Sequence, residues 1–596
     1  MTRFLPLAVL LLAVWFVLAR TMFAPPTYDP PADLSPESAE QAPVQTGTDI
    51  YLQLADLHSA LPERFDELLE FAKRQDGAGY WARIYAANHL DSLGRHIEAA
   101  ELVRSALSMR PWAEPSSLRP LRQLLARMLE QAGEREQALW AWAELLPEAE
   151  ALARVSKLAL DPVELGALLV QKRMHSVALS ALQAVECAKA CVYRARAYSA
   201  LGRHLEAEAE YRKHLEIDPD DAVARLGFAE TLERLGRYQA ALREYEECGE
   251  AGIMGSGRVL ALLGRKNEAI VAFVQNGSPE ALRRAGLLYL EIGDHTQALR
   301  VFFEVAAQQT ALSQEAALRA LAIADRIGDT LVQQSLLPLL NPGTCWLREE
   351  VPVVGFIDVV APPDDAPAIE TAAYLEQHWG DEYALVEMEI AARTEDDALR
   401  VIYGTWLKER GEYRVALRIA SSVLPRYPTR TAYELAYPIA FSEHVQSAAS
   451  EFGIDPWLVL AVMREESHFD AGAVSRAGAL GLMQIMPATG REIANRLRIA
   501  YDESQLLEPS TNIRMGSWYL SSMLNRYNGD IPRAVGAYNA GPGNMDRWSR
   551  TEAAAVRAHF IEAVAFAETR AYLLRVLNSW VIYHTLYAER PNSATQ

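Results

Sequence analysis

One phrase that returns at a fixed interval limits the fold more than any other feature of the chain. LGRHLEAEAEYRKHLEIDPDD, residues 201–221, places Gly202, Ala207, Tyr211 and Pro219. Thirty-four residues further on, Leu235 and Gly236 repeat the opening pair, and Ala241 and Tyr245 stand at the matching offsets. A unit of this length holds two short helices, neither of which can bury its apolar face alone, so neighbouring units must stack. Related phrases surround Gly94, Gly133, Gly264, Gly293 and Gly411, with gaps of 28 to 39 residues between neighbours that can be paired. A chain of 596 residues is too long for one hydrophobic core, and stacked repeats are one way to extend it.

The pair near residues 202 and 236 resembles the tetratricopeptide repeat: small residues let two helices approach, an aromatic fills the groove, and proline closes the second helix. Such an array can bind a partner or substrate along its concave face, or serve as a spacer. The segment 344–367 interrupts the pattern; Val351 to Val360 reads as extended, and the prolines and acids after it as a loop.

Composition narrows the partners. The formal net charge of −20 argues against nucleic acid, because phosphate binding needs a basic surface. From Tyr437 onward there are 14 arginines, no lysine and 16 acids, so this part is close to neutral. Four cysteines, Cys187, Cys191, Cys248 and Cys345, form no CxxC pair and have no histidine cluster beside them. No metal site and no cofactor is expected, and the cysteines read as small buried residues or as disulfide partners.

Near the start, Arg3 precedes an apolar run from Phe4 to Ala19, and Arg20 follows it. Sixteen helical residues span roughly 24 Å, short of a hydrocarbon core of about 30 Å. The run reads as a signal peptide cleaved after Val17-Leu18-Ala19 or as an uncleaved anchor over residues 4–23, and the bulk of Val14–Leu18 favours the anchor. Either reading places most of the chain outside the cytoplasmic membrane. Residues 24–48, rich in proline, serine and acids, read as a tether.

The C-terminal part carries the chemistry. Asp455 and Pro456 read as N-cap and first residue of a helix that runs to about Ser467. Its sequence, PWLVLAVMREES, leaves no polar face until the end, so it should be central and buried. Two adjacent glutamates, Glu465 and Glu466, point about 100° apart on that helix. Both fall on its apolar half, so helical periodicity does not say which one acts. A glycine-rich turn with Gly472, Gly478 and Gly481 follows, and AGPG at 540–543 marks another turn.

Four ordered segments, ES at 466–467, GLMQ at 481–484, AYNAGP at 537–542 and ETRAY at 568–572, together resemble the catalytic domain of the soluble lytic transglycosylases. The resemblance covers roughly residues 437–585. It implies a mostly α chain: a tetratricopeptide-like solenoid followed by a lysozyme-like, α-rich catalytic domain. The expected order is anchor or signal peptide at 1–23, linker at 24–48, repeats at 49–340, linker with a further repeat at 341–436, and catalytic domain at 437–596. The family cleaves the MurNAc-β-1,4-GlcNAc bond of peptidoglycan and leaves a 1,6-anhydro ring. By this resemblance the catalytic acid is Glu466, which immediately precedes the serine, and Glu465 is paired with an arginine or turned to solvent. An apolar setting from Val459, Val462, Met463 and Met486 would raise the pKa of Glu466. The resemblance also matches Ser475, Gln484, Met486, Tyr538, Asn539 and Glu568 to the substrate site. Tyr538 would have its hydroxyl close to the catalytic carboxyl, and Asn539 would hold its loop. The implied partners are glycan strands, with a cell-envelope protein as a candidate partner of the repeats, and the implied location is the periplasm. A muramidase that uses water, or an envelope scaffold that only holds glycan, are the alternatives.

Overall fold

A computed structural model describes residues 46–347, 354–356 and 366–588. The apolar run at 4–19, residues 24–45 of the expected tether and most of the extended segment expected at 351–360 lie outside these residues, whereas residues 46–48, also read as tether, open the helix Thr46–Ser59. Among the described residues no helix is long and apolar enough to cross a membrane. The described chain is mostly helical, and among the described residues strand-like pairing is confined to isolated bridges, two of them near residue 480. The expected mostly α class is therefore borne out.

Two compact units divide the chain. Of the described residues, one comprises 46–168 and 366–427, the other 169–347, 354–356 and 428–588. In the first, Tyr51 donates a 2.7 Å hydrogen bond to the Glu387 carboxyl, and the Tyr85 and Tyr383 hydroxyls lie 2.7 Å apart. Arg110 and Glu389 form a buried ion pair at 2.7 Å. Helices near residues 50–110 and 381–391 thus share one core, although almost three hundred residues separate them.

The second unit begins with the repeats seen most clearly in sequence. Helices His204–Ile217, Ala222–Arg234 and Tyr238–Glu247 pack in series. Ala207, Tyr211, Ala241 and Tyr245 are all buried there. The recurring glycines sit between helices in the left-handed region, φ 75° at Gly202 and 74° at Gly236, where a side chain would be strained. This requirement explains why the glycine returns with each unit.

The repeats run on to the helix Ser313–Ile327. After it, the short helix Pro342–Leu347 packs on the helix Ala567–Tyr583. A Cβ at Gly343 would stand 2.3 Å from the backbone nitrogen of Asn578, so only glycine allows this approach. The same long helix packs on Pro456–Ser467 and on Ile531–Ala540, and it forms the spine of the site region. Among the described residues no disulfide joins the cysteines; Cys187 is exposed and Cys191 buried.

Candidate active site

The helix Pro456–Ser467 begins as its sequence suggests. Asp455 caps it by accepting from the Trp457 backbone N–H at 3.0 Å. The same carboxylate also takes the Trp580 indole N–H at 2.6 Å and contacts His584 Nε2 at 2.7 Å. Leu458 through Met463 are all buried, so the helix is as central as its apolar run implies. At the other end the chain turns left-handed at His468 and Phe469, with φ 52° and 66°.

The two glutamates at that end meet opposite surroundings. Arg464 pairs with Glu465 at 2.5 Å, Ser579 donates to it at 2.8 Å, and Arg575 lies 3.1 Å away. Burial alone would raise the pKa of Glu465, but these partners outweigh it and hold the group below the usual carboxylate range. Arg464 is itself held over the Tyr437 ring and donates to the Ala436 carbonyl at 3.0 Å. Glu465 is therefore the arginine-paired member, and it is not turned to solvent.

Glu466 has no such ion pair. Burial pushes its pKa up to about 7, a neighbouring tyrosine hydroxyl (Tyr572) opposes the shift, and the charge of Glu465 adds to it. Arg575 opposes and Glu568 adds in smaller measure. The group remains partly open to solvent. A carboxyl poised near neutral pH at the rim of an apolar helix end is suited to give and take a proton.

The GLMQ loop is built under this carboxyl. Ser467, next in sequence, is buried and donates to the Leu482 carbonyl at 2.8 Å. Asn512, fully buried, accepts from the Met483 N–H at 2.7 Å and donates to the carbonyls of Leu480 at 2.9 Å and Leu506 at 2.6 Å. Gly481, at φ 74°, passes so close to these groups that a Cβ would lie 2.2 Å from the Leu506 carbonyl oxygen. Leu480 and Ile485 exchange two backbone hydrogen bonds of 3.0 Å across the loop.

The other expected site residues are placed as follows. Ser475 is spent on its own loop, accepting from the Ala479 N–H at 2.9 Å. Gln484 occupies a left-handed backbone at φ 49°, and its amide donates to the carbonyls of Gly481 at 2.9 Å and Ala473 at 3.2 Å. Met486 is 41% exposed, so it does not share the burial of Val459, Val462 and Met463. Tyr538 donates to the Met483 carbonyl at 2.8 Å. Its hydroxyl thus supports the loop, and its pKa is raised by burial and then by the nearby Glu466 charge. Asn539 accepts from the Thr569 hydroxyl at 2.7 Å, joining the AYNAGP helix end to the start of Ala567–Tyr583. Glu568 is exposed on that same first turn.

Tyr572 is the residue that sequence reasoning passed over. Its buried hydroxyl has no partner other than Glu466, whose pKa it holds down as a donor. A signal was present: Tyr572 stands four residues after Glu568, on the same helix face. Asn512 gave no comparable signal.

Outside this region, His214, Asp218 and Asp221 bring ligand atoms within 4.8 Å of one another. His214 is already occupied, with Nδ1 2.9 Å from the Ala188 carbonyl and Nε2 2.9 Å from Asp221. The group reads as a buried hydrogen-bonded pair that fastens a repeat turn.

Comparison with known proteins bears on the same segments. Residues 443–561 match the transglycosylase SLT domain, and residues 188–221 match a tetratricopeptide repeat. Over 168 residues the chain is 33% identical to the soluble lytic murein transglycosylase of Escherichia coli (strain K12), covering 27% of this chain and 26% of that one. It is 34% identical over 163 residues to the membrane-bound lytic murein transglycosylase C of Photorhabdus laumondii, covering 24% of this chain and 45% of the relative. The match thus spans less than half the length of these curated relatives, and about a quarter of the Escherichia coli protein. The structure of an inactive mutant of the lytic transglycosylase Slt from Pseudomonas aeruginosa superposes with a TM-score of 0.54 at 19% identity. That likeness covers 91% of this chain and 92% of that one, and at such identity it speaks for the fold. Residues 443–561 belong to the transglycosylase SLT domain family, joined in this chain to tetratricopeptide-type helical repeats.

Proposed function

We propose that this protein is a peptidoglycan lytic transglycosylase that cleaves the MurNAc-β-1,4-GlcNAc bond and leaves a 1,6-anhydro-MurNAc end. One observation carries the reading: of two adjacent glutamates, Glu465 is committed to arginines while Glu466 is raised to about 7. In the first step protonated Glu466 gives its proton to the glycosidic oxygen, the C1–O bond breaks, and the GlcNAc 4-hydroxyl leaves. The MurNAc acetamido oxygen closes on C1 and takes up the developing positive charge, so no second carboxylate is required. In the second step O6 attacks C1, the acetamido oxygen departs, and ionised Glu466 takes the O6 proton. Tyr572, with its hydroxyl otherwise unbonded, can donate to Glu466 while it is ionised.

The relatives' names support peptidoglycan as the substrate class. With that substrate, the protein acts outside the cytoplasmic membrane, tethered through residues 4–23 or released by cleavage.

A second reading has one observation in its favour. Glu568 is exposed and close enough to raise the pKa of Glu466, so it could activate water and make the enzyme a muramidase. Purified peptidoglycan incubated with the protein and with Glu466→Gln separates these readings by mass spectrometry. Fragments lighter by one water and lacking a reducing end, made only when Glu466 is present, are the expected result. Reducing ends would establish the hydrolase. Binding without cleavage would move the assignment to a glycan-holding scaffold.

A further inference from the structure

Glu315 lies on the repeat helix Ser313–Ile327, far in sequence from the site, and is 4% exposed. Three arginines surround its carboxylate: Arg319 and Arg570 at 3.0 Å each, and Arg283 at 3.5 Å. All three are buried as well, each 5–6% exposed. Arg570 is the arginine of the ETRAY segment. Besides meeting Glu315, it donates to the carbonyls of Val564 at 2.8 Å and Ala565 at 3.0 Å, just before its helix begins. Its guanidinium therefore ties the chain leading into the helix Ala567–Tyr583 to the last repeats.

The helix geometry gives this tie a consequence. Residues two apart on an α-helix point about 200° apart, while residues four apart share a face. Arg570 thus points to the repeats, and Glu568 and Tyr572 both stand on the opposite side. Both act on the Glu466 carboxyl, as does Arg575 of the same helix. A second contact, Pro342–Leu347 against the same helix with Gly343 at Asn578, anchors it further along.

We propose that Glu315 is a positioning residue for the Glu466 site: by holding Arg570 it sets the first turns of the helix whose far face carries Glu568 and Tyr572. The repeats then do more than space the catalytic segment; they complete the support of its acid. A small displacement of a group beside a reacting carboxyl can cost a large part of the rate. The activity readout of this inference rests on the transglycosylase reading, whereas the titration below does not.

The test uses the full chain with Glu315→Gln and, as control, Arg319→Gln. The control loosens the same buried cluster but spares the Glu315–Arg570 pair. We expect Glu315→Gln to lower kcat on peptidoglycan about tenfold or more with KM little changed. The Glu466 titration, followed by carbon-13 carboxyl resonances and assigned by difference with Glu466→Gln, should move upward as the opposing effect of Tyr572 fades. Arg319→Gln should leave both readouts near those of the unchanged protein. Equal behaviour of the two variants would overturn the proposal, as would a Glu315→Gln protein that is folded and unaltered in both. If Glu315→Gln does not fold, Arg570→Lys, which keeps the charge and loses the two-sided grip, decides in the same way. Should peptidoglycan prove not to be the substrate, the titration alone still decides.

Discussion

Glu465 and Glu466 are joined by one peptide bond, yet the Glu465 carboxylate receives Arg464 at 2.5 Å and Ser579 at 2.8 Å, while Glu466 meets the Tyr572 hydroxyl and no ion-pair partner. One carboxyl is held ionised and the other is made reluctant to ionise. The charge of the first even reinforces the second, because Glu465 raises the pKa of Glu466. One side chain is committed to ion pairing and the other, on the proposed function, to chemistry, and each half is testable.

Glu466 should lower stability above neutral pH. Its folded pKa of about 7 stands above the ordinary 4.5, so the native state favours the protonated form. Stability is then unaffected well below pH 4.5 and is lost as pH rises from there through about 7. Glu466→Gln removes that loss. Thermal melts at pH 8 should show the variant more stable by about 2 kcal/mol, after allowance for water at its open side. At pH 4 the two proteins should melt alike. Equal melting at both pH values would count against a strained acid.

Glu465→Gln should do the reverse. The variant leaves the buried Arg464 guanidinium without its carboxylate, and breaking one side of a buried pair costs about 3 kcal/mol. Because the Glu465 pKa lies below its ordinary value, its contribution is present above that value and is lost as pH falls through the folded one. Chemical unfolding at pH 7 and at pH 3 should therefore show a smaller difference between variant and unchanged protein at the acid end. Folded Glu465→Gln should still release anhydro ends.

Tyr572→Phe separates stability from chemistry. The hydroxyl has no partner other than Glu466, so removing it should change stability by about 1 kcal/mol or less. Its opposing effect on the Glu466 pKa disappears with it. The decline of kcat with rising pH should shift to higher pH, and kcat should fall about tenfold through loss of a donor to ionised Glu466. An unchanged pH profile would remove Tyr572 from the site.

Gly481→Ala tests the loop under the acid. The backbone there has φ 74°, and the new Cβ would meet the Leu506 carbonyl oxygen at 2.2 Å and the Asn512 amide nitrogen at 2.4 Å. Strain and the disturbed Asn512 bonds together should cost about 3 kcal/mol or more. Activity should fall with them, since Gln484 and the Met483 carbonyl that receives Tyr538 share this loop. A melt within 1 °C of the unchanged protein would refute the close packing.

Much of the fold was legible in the chain because its determinants are local. The returning glycines mark left-handed turns that only glycine adopts without strain, and the alanine and tyrosine at fixed offsets mark what two adjacent helices bury. Asp455, Pro456 and the apolar run after them specify a buried helix within a dozen residues. The order of four short segments matches the SLT domain found at residues 443–561, and the proposal of Glu466 as the acid rests on that resemblance. The protonation states, the donor beside the acid and the support of its loop were not legible in the same way. A helical wheel contains only its own helix, and the groups that settle these matters arrive from Ser579, Tyr572 and Asn512, tens of residues or more than a hundred away. Tyr538 shows the same limit: its proximity to the acid could be expected, but only the folded chain turned its hydroxyl to the Met483 carbonyl. Helix formation follows from the residues of a helix itself. Desolvation and ion pairing follow from whatever else is packed against it, and that is decided in tertiary structure.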